Sequence, residues 1–283
     1  MFGNIPSAIQ PPALPEDAST LSWDEKVTPL LLIHDGGGTT FSYYCLGNIG
    51  RLVYGIANPR YHSGAAWEGG IPEMARHYIG MLKLGLPRSD GTKRVILGGW
   101  SLGGMIALEM ARQLAANKDA SLSVVGVVMI DTPCPFAPLP IPAPRVVQHV
   151  VEWGPLTRED TKRKVQRCFA DALRVLGQWT LPEWADAAQQ DGRCEKEVPH
   201  PPPPVVLIRA TGMVPVVEPG VARVDIHRSD PQLGWGRYRK HLVRRAIDVP
   251  GNHYNLFQTE ETLETVTKAI QQACAGLEDI GGV

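Results

Sequence analysis

Gly99-Trp100-Ser101-Leu102-Gly103, with Gly104 following, sets a serine hydroxyl among glycines. The surrounding KRVILGGWSLGGMIALEMARQLAA, residues 93 to 116, runs from a continuous apolar stretch into helical periodicity. That context predicts a strand, a tight turn carrying Ser101 at its apex, and a helix, an arrangement that strains the backbone and thrusts the hydroxyl outward. A serine hydroxyl is a weak nucleophile at neutral pH, so the chain must also supply a general base and a group to orient it. Of the eight histidines, His34, His62 and His77 precede the serine, and His149 and His200 lie in a proline-bounded stretch. His227 and His241 sit in polar, surface-like sequence, which leaves His253, in a Pro-Gly-Asn turn after the last apolar run RRAIDV. For the acid, the run VVLIRATGM carries no carboxylate near its end, and Glu218 and Asp225 come later. The run before it, VVGVVMID, ends on Asp131, followed by Thr-Pro. Ser101, Asp131 and His253 are therefore the expected nucleophile, orienting acid and base. Cys134, among prolines, reads as a small buried residue rather than a rival nucleophile.

These residues need a scaffold that gathers strand ends. TPLLLIHD (28 to 35), RLVYGIA (51 to 57), SVVGVVMID (123 to 131), PPVVLIRA (203 to 210) and RRAIDV read as buried strands. PEMARHYIGMLKLG, from Pro72, has helical spacing. Alternating strands and helices predict an α/β fold, a mostly parallel sheet covered on both faces, with catalytic groups at the strands' C-terminal edge. Between PCPFAPLPIPAP and PHPPPP the pattern changes: residues 135–203 contain helical sequence such as TREDTKRKVQRCFADALRVL and no strand candidate. The expected organisation is an extended arm over residues 1–26, a core of 27–134 and 204–283, and a helical lid insertion at 135–203.

The composition narrows the partners. The chain has 283 residues, 43% hydrophobic and 20% charged, with a net charge of −1, and no basic stripe interleaved with aromatics that would suit nucleic acid. The N-terminus lacks the basic start and apolar run of a signal peptide, and no stretch is long enough to span a membrane. Five scattered cysteines without metal-type spacing suggest reduced thiols, no disulfide, no metal and a cytoplasmic setting.

LLLIHDGGGTTFSYY, NPRYHSGAAWEGG, GGWSLGGMIALEMA, VVMIDTP and VPGNHYNLF, spread from about residue 30 to 257, resemble an α/β-hydrolase thioesterase. The similarity is to the product-releasing thioesterase domains of fungal polyketide synthases and peptide synthetases. That family places its acid after the strand following the nucleophile helix, which matches Asp131, and the order Ser, Asp, His also fits. The resemblance implies an acyl thioester presented on the phosphopantetheine arm of a carrier protein, with no cofactor bound to the enzyme. Ser101 would form an acyl-enzyme, released by water or by a nucleophile within the product. The oxyanion would be met by the backbone N–H of Leu102 and by that of Gly36 or Gly37. No Lys-Ser or Lys-Thr pair follows these glycines, so they are not expected to cradle a phosphate, and Asp35 reads as a turn-former. Trp100, Tyr43 and Tyr44 are candidate walls for the acyl chain, with core packing as the other reading. A small-molecule esterase or acyltransferase with the same three residues stays open, as does a non-catalytic protein on this fold. The chain begins at Met1 and carries no carrier or synthase module, so it is expected to act in trans as a free-standing protein or to be an excised domain.

Overall fold

The computed structural model describes residues 3–11, 27–85, 93–117, 121–147, 151, 153–185 and 200–281. Its central sheet is built from β1 (Ser7–Gln10), β2 (Leu30–Ile33), β3 (Val53–Ile56), β4 (Lys93–Trp100), β5 (Leu122–Ile130), β7 (Val205–Ala210) and β9 (Val243–Val249). The spatial order is β1-β3-β2-β4-β5-β7-β9. Every pairing is parallel except that of β1 with β3.

The continuous apolar runs are explained by what lies on the two faces. Leu31, Ile33, Leu97, Val127, Met129, Val205 and Leu207 pack in one core. Their neighbours Leu30, Leu32, Ile96, Val128, Val206 and Ile208 pack in the other. Successive side chains of a strand point to opposite faces, so a strand buried on both sides loses the polar alternation of a half-exposed one. Helices α1 (Gly70–Gly85) and α2 (Leu102–Ala116) cover the first face, and α5 (Glu260–Gly281) covers the second.

The segment read as an arm is in part a strand: β1 pairs along β3 and closes that edge of the sheet, while residues 12–26 lie outside the described residues. Among the described residues of 135–203 there is one long helix, α3 (Glu159–Gln178). Its inward stripe of Val165, Cys168, Phe169, Ala172, Val175 and Leu176 recurs at helical spacing. The reading of no strand in this stretch is corrected by β6 (Val146–Val147), which pairs with β8 (Val221–Ala222) in a separate two-stranded sheet. At two residues the run is too short to show periodicity. A short helix, α4 (Trp235–Tyr238), precedes β9. Among the described residues no helix is long and apolar enough to cross a membrane.

Candidate active site

Ser101 stands between β4 and α2 with φ 56° and ψ −117°, a backbone conformation that side-chain-bearing residues rarely adopt. The turn closes only because its flanks are small. A Cβ at Gly103 would sit 2.4 Å from the carbonyl oxygen of Ile33, on the neighbouring strand β2. The turn is braced by the Ser101 N–H donating to the Ile130 carbonyl at 2.9 Å and by Thr132 Oγ1 donating to the Ser101 carbonyl at 3.0 Å.

His253 Nε2 lies 3.1 Å from Ser101 Oγ, and His253 Nδ1 lies 2.7 Å from Asp131 Oδ2. The histidine hangs in the loop after β9, which turns at Gly251 (φ 94°) and is pinned where the Asn252 N–H donates to Asn255 Oδ1. Asp131 follows β5 with φ 41° and has no exposure to solvent. Burial pushes its carboxyl up, but the bonds from His253 and Arg228, with the charges behind them, outweigh that and hold it at about 2. An ionised carboxylate can only accept, so Nδ1 carries the proton and Nε2 is left to accept from the serine. This arrangement can draw a proton from Ser101 Oγ while the oxygen attacks an electrophile.

The glycine loop after β2 runs beside this serine because Ile33 pairs with Gly99. His34 is buried, with Nδ1 2.6 Å from the Asp35 carbonyl and Nε2 2.7 Å from Tyr78 Oη. A carbonyl only accepts, so His34 Nδ1–H is the donor and Tyr78 O–H donates to Nε2. The Asp35 carbonyl also receives the Gly38 N–H at 3.1 Å. In a trans peptide the N–H points away from the C=O, so fixing that carbonyl fixes the direction of the Gly36 N–H. The Gly37 N–H is already committed to Asp35 Oδ1 at 3.0 Å, in the turn-forming role read for Asp35. Gly36 and Leu102 line the same water-sized cavity of about 10 Å³, and Leu102 is the first residue of α2, where helical amides have no partner within the helix. Between the two glycines named from sequence, the bonding leaves Gly36 as the available donor.

The wall residues separate. Tyr43 is sealed in the core, its hydroxyl donating to the Ile33 carbonyl and accepting the Trp100 N–H, so it has no face to offer a substrate. Trp100 is also buried, its ring 5.5 Å from that of His253 and 5.2 Å from that of Phe257, as a support behind the histidine. Tyr44 is exposed. For both buried rings the packing reading displaces the wall reading. Cys134 is buried, with its thiol pushed up by burial to about 11, which leaves it protonated and inert.

Residues 28–140 match the family model for the thioesterase domain. A probable thioesterase of Glarea lozoyensis is 34% identical over 87% of this chain and 89% of its own length. The chain belongs to the thioesterase family. Thioesterase AMT4 of Alternaria alternata is 33% identical, covering 88% of this chain and 85% of the relative. Among solved structures, the NocB thioesterase domain, in covalent complex with a fluorophosphonate nocardicin G analog, has a TM-score of 0.58. It is 21% identical and covers 87% of this chain and 94% of that one. The Vlm2 thioesterase domain, bound with a dodecadepsipeptide, gives 0.55 at 16% identity over 87% and 97%. These neighbours establish a shared α/β-hydrolase fold.

Two groups in this thioesterase site escape sequence reasoning. Arg228, 97 residues from Asp131, donates from Nη1 to Oδ1 at 2.5 Å and from Nη2 to Oδ2 at 2.9 Å. Asp225 in turn accepts from Arg228 Nε at 2.8 Å. Asp225 and Arg228 stand three residues apart, a spacing that allows their pairing, but nothing in the sequence points either of them at Asp131, 97 residues from Arg228, and both sit in a polar stretch that reads as surface.

Proposed function

We propose that this thioesterase releases an acyl chain from a carrier-protein phosphopantetheine thioester through an acyl-enzyme on Ser101. The observation that carries the reading is the continuous hydrogen-bonded line from Ser101 Oγ through His253 to Asp131, ending on a serine in a strained turn. Ser101 Oγ attacks the thioester carbonyl as His253 Nε2 takes its proton, and Asp131 holds the imidazole in the required tautomer. The N–H groups of Leu102 and Gly36 receive the oxyanion, each such donor being worth about 3 kcal/mol of barrier. Collapse expels the arm's thiolate, which takes the proton back from His253. Water, or a hydroxyl or amine within the chain, then attacks the acyl-enzyme with His253 again as base, giving an acid, a lactone or a cyclised amide. The chemistry needs no metal or resident cofactor. The cavity of about 10 Å³ that Gly36 and Leu102 line beneath α3 is far below the size of an acyl chain, so it is not by itself the acyl site. The deciding experiment loads candidate acyl groups onto a carrier protein and identifies the product by mass, beside matched oxygen esters. Release is expected from the thioesters and to fall at least about 10³-fold in Ser101→Ala. Equal release by that variant would overturn the mechanism, and preference for the oxygen esters would favour an esterase.

A further inference from the structure

We propose that Arg228 is a positioning residue that sets the proton affinity of His253 by sharing the Asp131 carboxylate with the imidazole. The proposal rests on the roles given above to Ser101 and His253. Asp131 is grasped on two sides: Oδ2 meets His253 Nδ1, and both oxygens receive the guanidinium fork. Arg228 cannot swing away, because Nε is held by Asp225 and Nη1 also donates to the Ala210 carbonyl at 2.9 Å. Asp225 is tied down by the Val214 N–H at 2.6 Å, and Asp131 Oδ1 accepts the Ala210 N–H at 2.9 Å. Asp131, Asp225 and Arg228 are all at most 5% exposed, so their charges act on one another with little screening by water.

Two carboxylates and one guanidinium leave a single net negative charge, enough to balance one imidazolium. Without Arg228, the full field of Asp131 would fall on His253 and stabilise the protonated imidazole, which cannot accept the serine proton. Without the Asp225 charge, the guanidinium would act undivided on Asp131 and disfavour the imidazolium. Among the described residues, the other ionisable groups facing the cluster are Asp35, which burial pushes up to about 6 and which when ionised acts on His253 across the glycine loop in parent and variants alike, and the outer pair Arg209–Asp248, whose Arg209 Nη1 donates to the Arg228 carbonyl. Tyr254, its ring 4.9 Å from that of His253, is held neutral, its hydroxyl pushed up by burial. None of these takes the place of Arg228 against Asp131.

The test follows the pH dependence of Ser101 labelling by a short-chain alkyl fluorophosphonate. That reaction needs the same proton transfer but no particular acyl substrate. The acid limb is expected to move up by about one pH unit in the double variant Arg228→Gln/Asp225→Asn, and down by about half a unit in Asp225→Asn alone. Arg228→Lys should keep the limb and label more slowly, because an ammonium cannot span Asp131, Asp225 and the Ala210 carbonyl together. A structural role alone would lower Tm and rate at every pH and leave the limb in place. An acid limb unchanged in Asp225→Asn and in the double variant overturns the proposal, and Asp225→Asn decides alone if the double variant does not fold. Labelling of Ser101→Ala as fast as the parent would instead overturn the nucleophile assignment.

Discussion

His34 is a residue whose neutrality the fold enforces. Burial pushes its imidazole down to about 4, opposed only in part by the bond to the Asp35 carbonyl. In the unfolded chain it titrates near 6.5, so between about 4 and 6.5 the unfolded state binds the extra proton. The contribution of His34 is therefore complete above about pH 6.5 and is lost as pH falls toward 4, by up to about 3 kcal/mol. Protonation would also set a second N–H against the Tyr78 hydroxyl, which now donates to that nitrogen. His34→Gln offers a donor and an acceptor but does not titrate. Urea midpoints for parent and variant should differ most above pH 6.5 and converge as the pH is lowered. The variant's kcat should fall about tenfold at neutral pH, since the Gly36 N–H loses its fixed direction. A constant gap between the two unfolding curves would show that His34 does not titrate in this range.

At the scale of elements, α3 lays its inward stripe on the core and is tied at its flanks by two arginines. Arg167 Nη2 donates to the Tyr61 carbonyl at 2.6 Å and Arg174 Nη2 to the Trp67 carbonyl at 2.8 Å. Between these ties, a Cβ at Gly36 would sit 3.1 Å from the Phe169 ring, and Cys168 packs on Gly38. The glycines of this loop thus let a helix close down on the strand end as well as exposing amides. Hydrogen bonds of this kind contribute about 0.5 to 1.5 kcal/mol each, so losing both should shift any opening of α3 by roughly tenfold or more. Arg167→Ala/Arg174→Ala is expected to speed Ser101 labelling by a long-chain fluorophosphonate several-fold while leaving that by a short one almost unchanged. Equal acceleration of both probes would mean that α3 does not limit access. The amphipathic stripe of α3 was legible because it repeats at 3.6 residues; its carbonyl anchors in the NPRYHSGAAWEGG loop were not, since a carbonyl acceptor leaves no trace in residue type.

Across the whole molecule, legibility follows from how far each signal extends along the chain. The two-faced strands declared themselves because burial on both sides demands apolar residues at every position, as in LLLI and VVGVVMI. Ser101 and His253 were visible from the strand ends they follow, whereas β1, SAIQ, is a polar edge strand defined by its partner alone. His227 and Arg228 stand in polar sequence and are buried, because His227 meets the Ala137 backbone and Arg228 meets Asp131, both in distant segments. The same topology separates catalysis from stability. Arg51, just before β3, binds Glu278 of α5 by two bonds of 3.1 Å and donates to the Thr28 carbonyl, while the Thr28 N–H donates to Glu278. This brace joins the starts of the strands to the last helix, at the edge opposite Ser101. Burial pushes the Glu278 carboxyl up, but the Arg51 bond and the Thr28 N–H prevail and lower it. Its contribution is present above the unfolded value and lost as pH falls through the lower, folded one. Glu278→Ala leaves a nearly buried guanidinium without its carboxylate, a loss of about 2 kcal/mol for partly exposed partners. The expected result is a Tm lower by about 4 to 8 °C at pH 7, a deficit that narrows below about pH 4, and labelling of Ser101 at the parental rate. A slowed labelling rate in the folded variant would show that the two edges of the sheet are coupled, contrary to the separation argued from the topology.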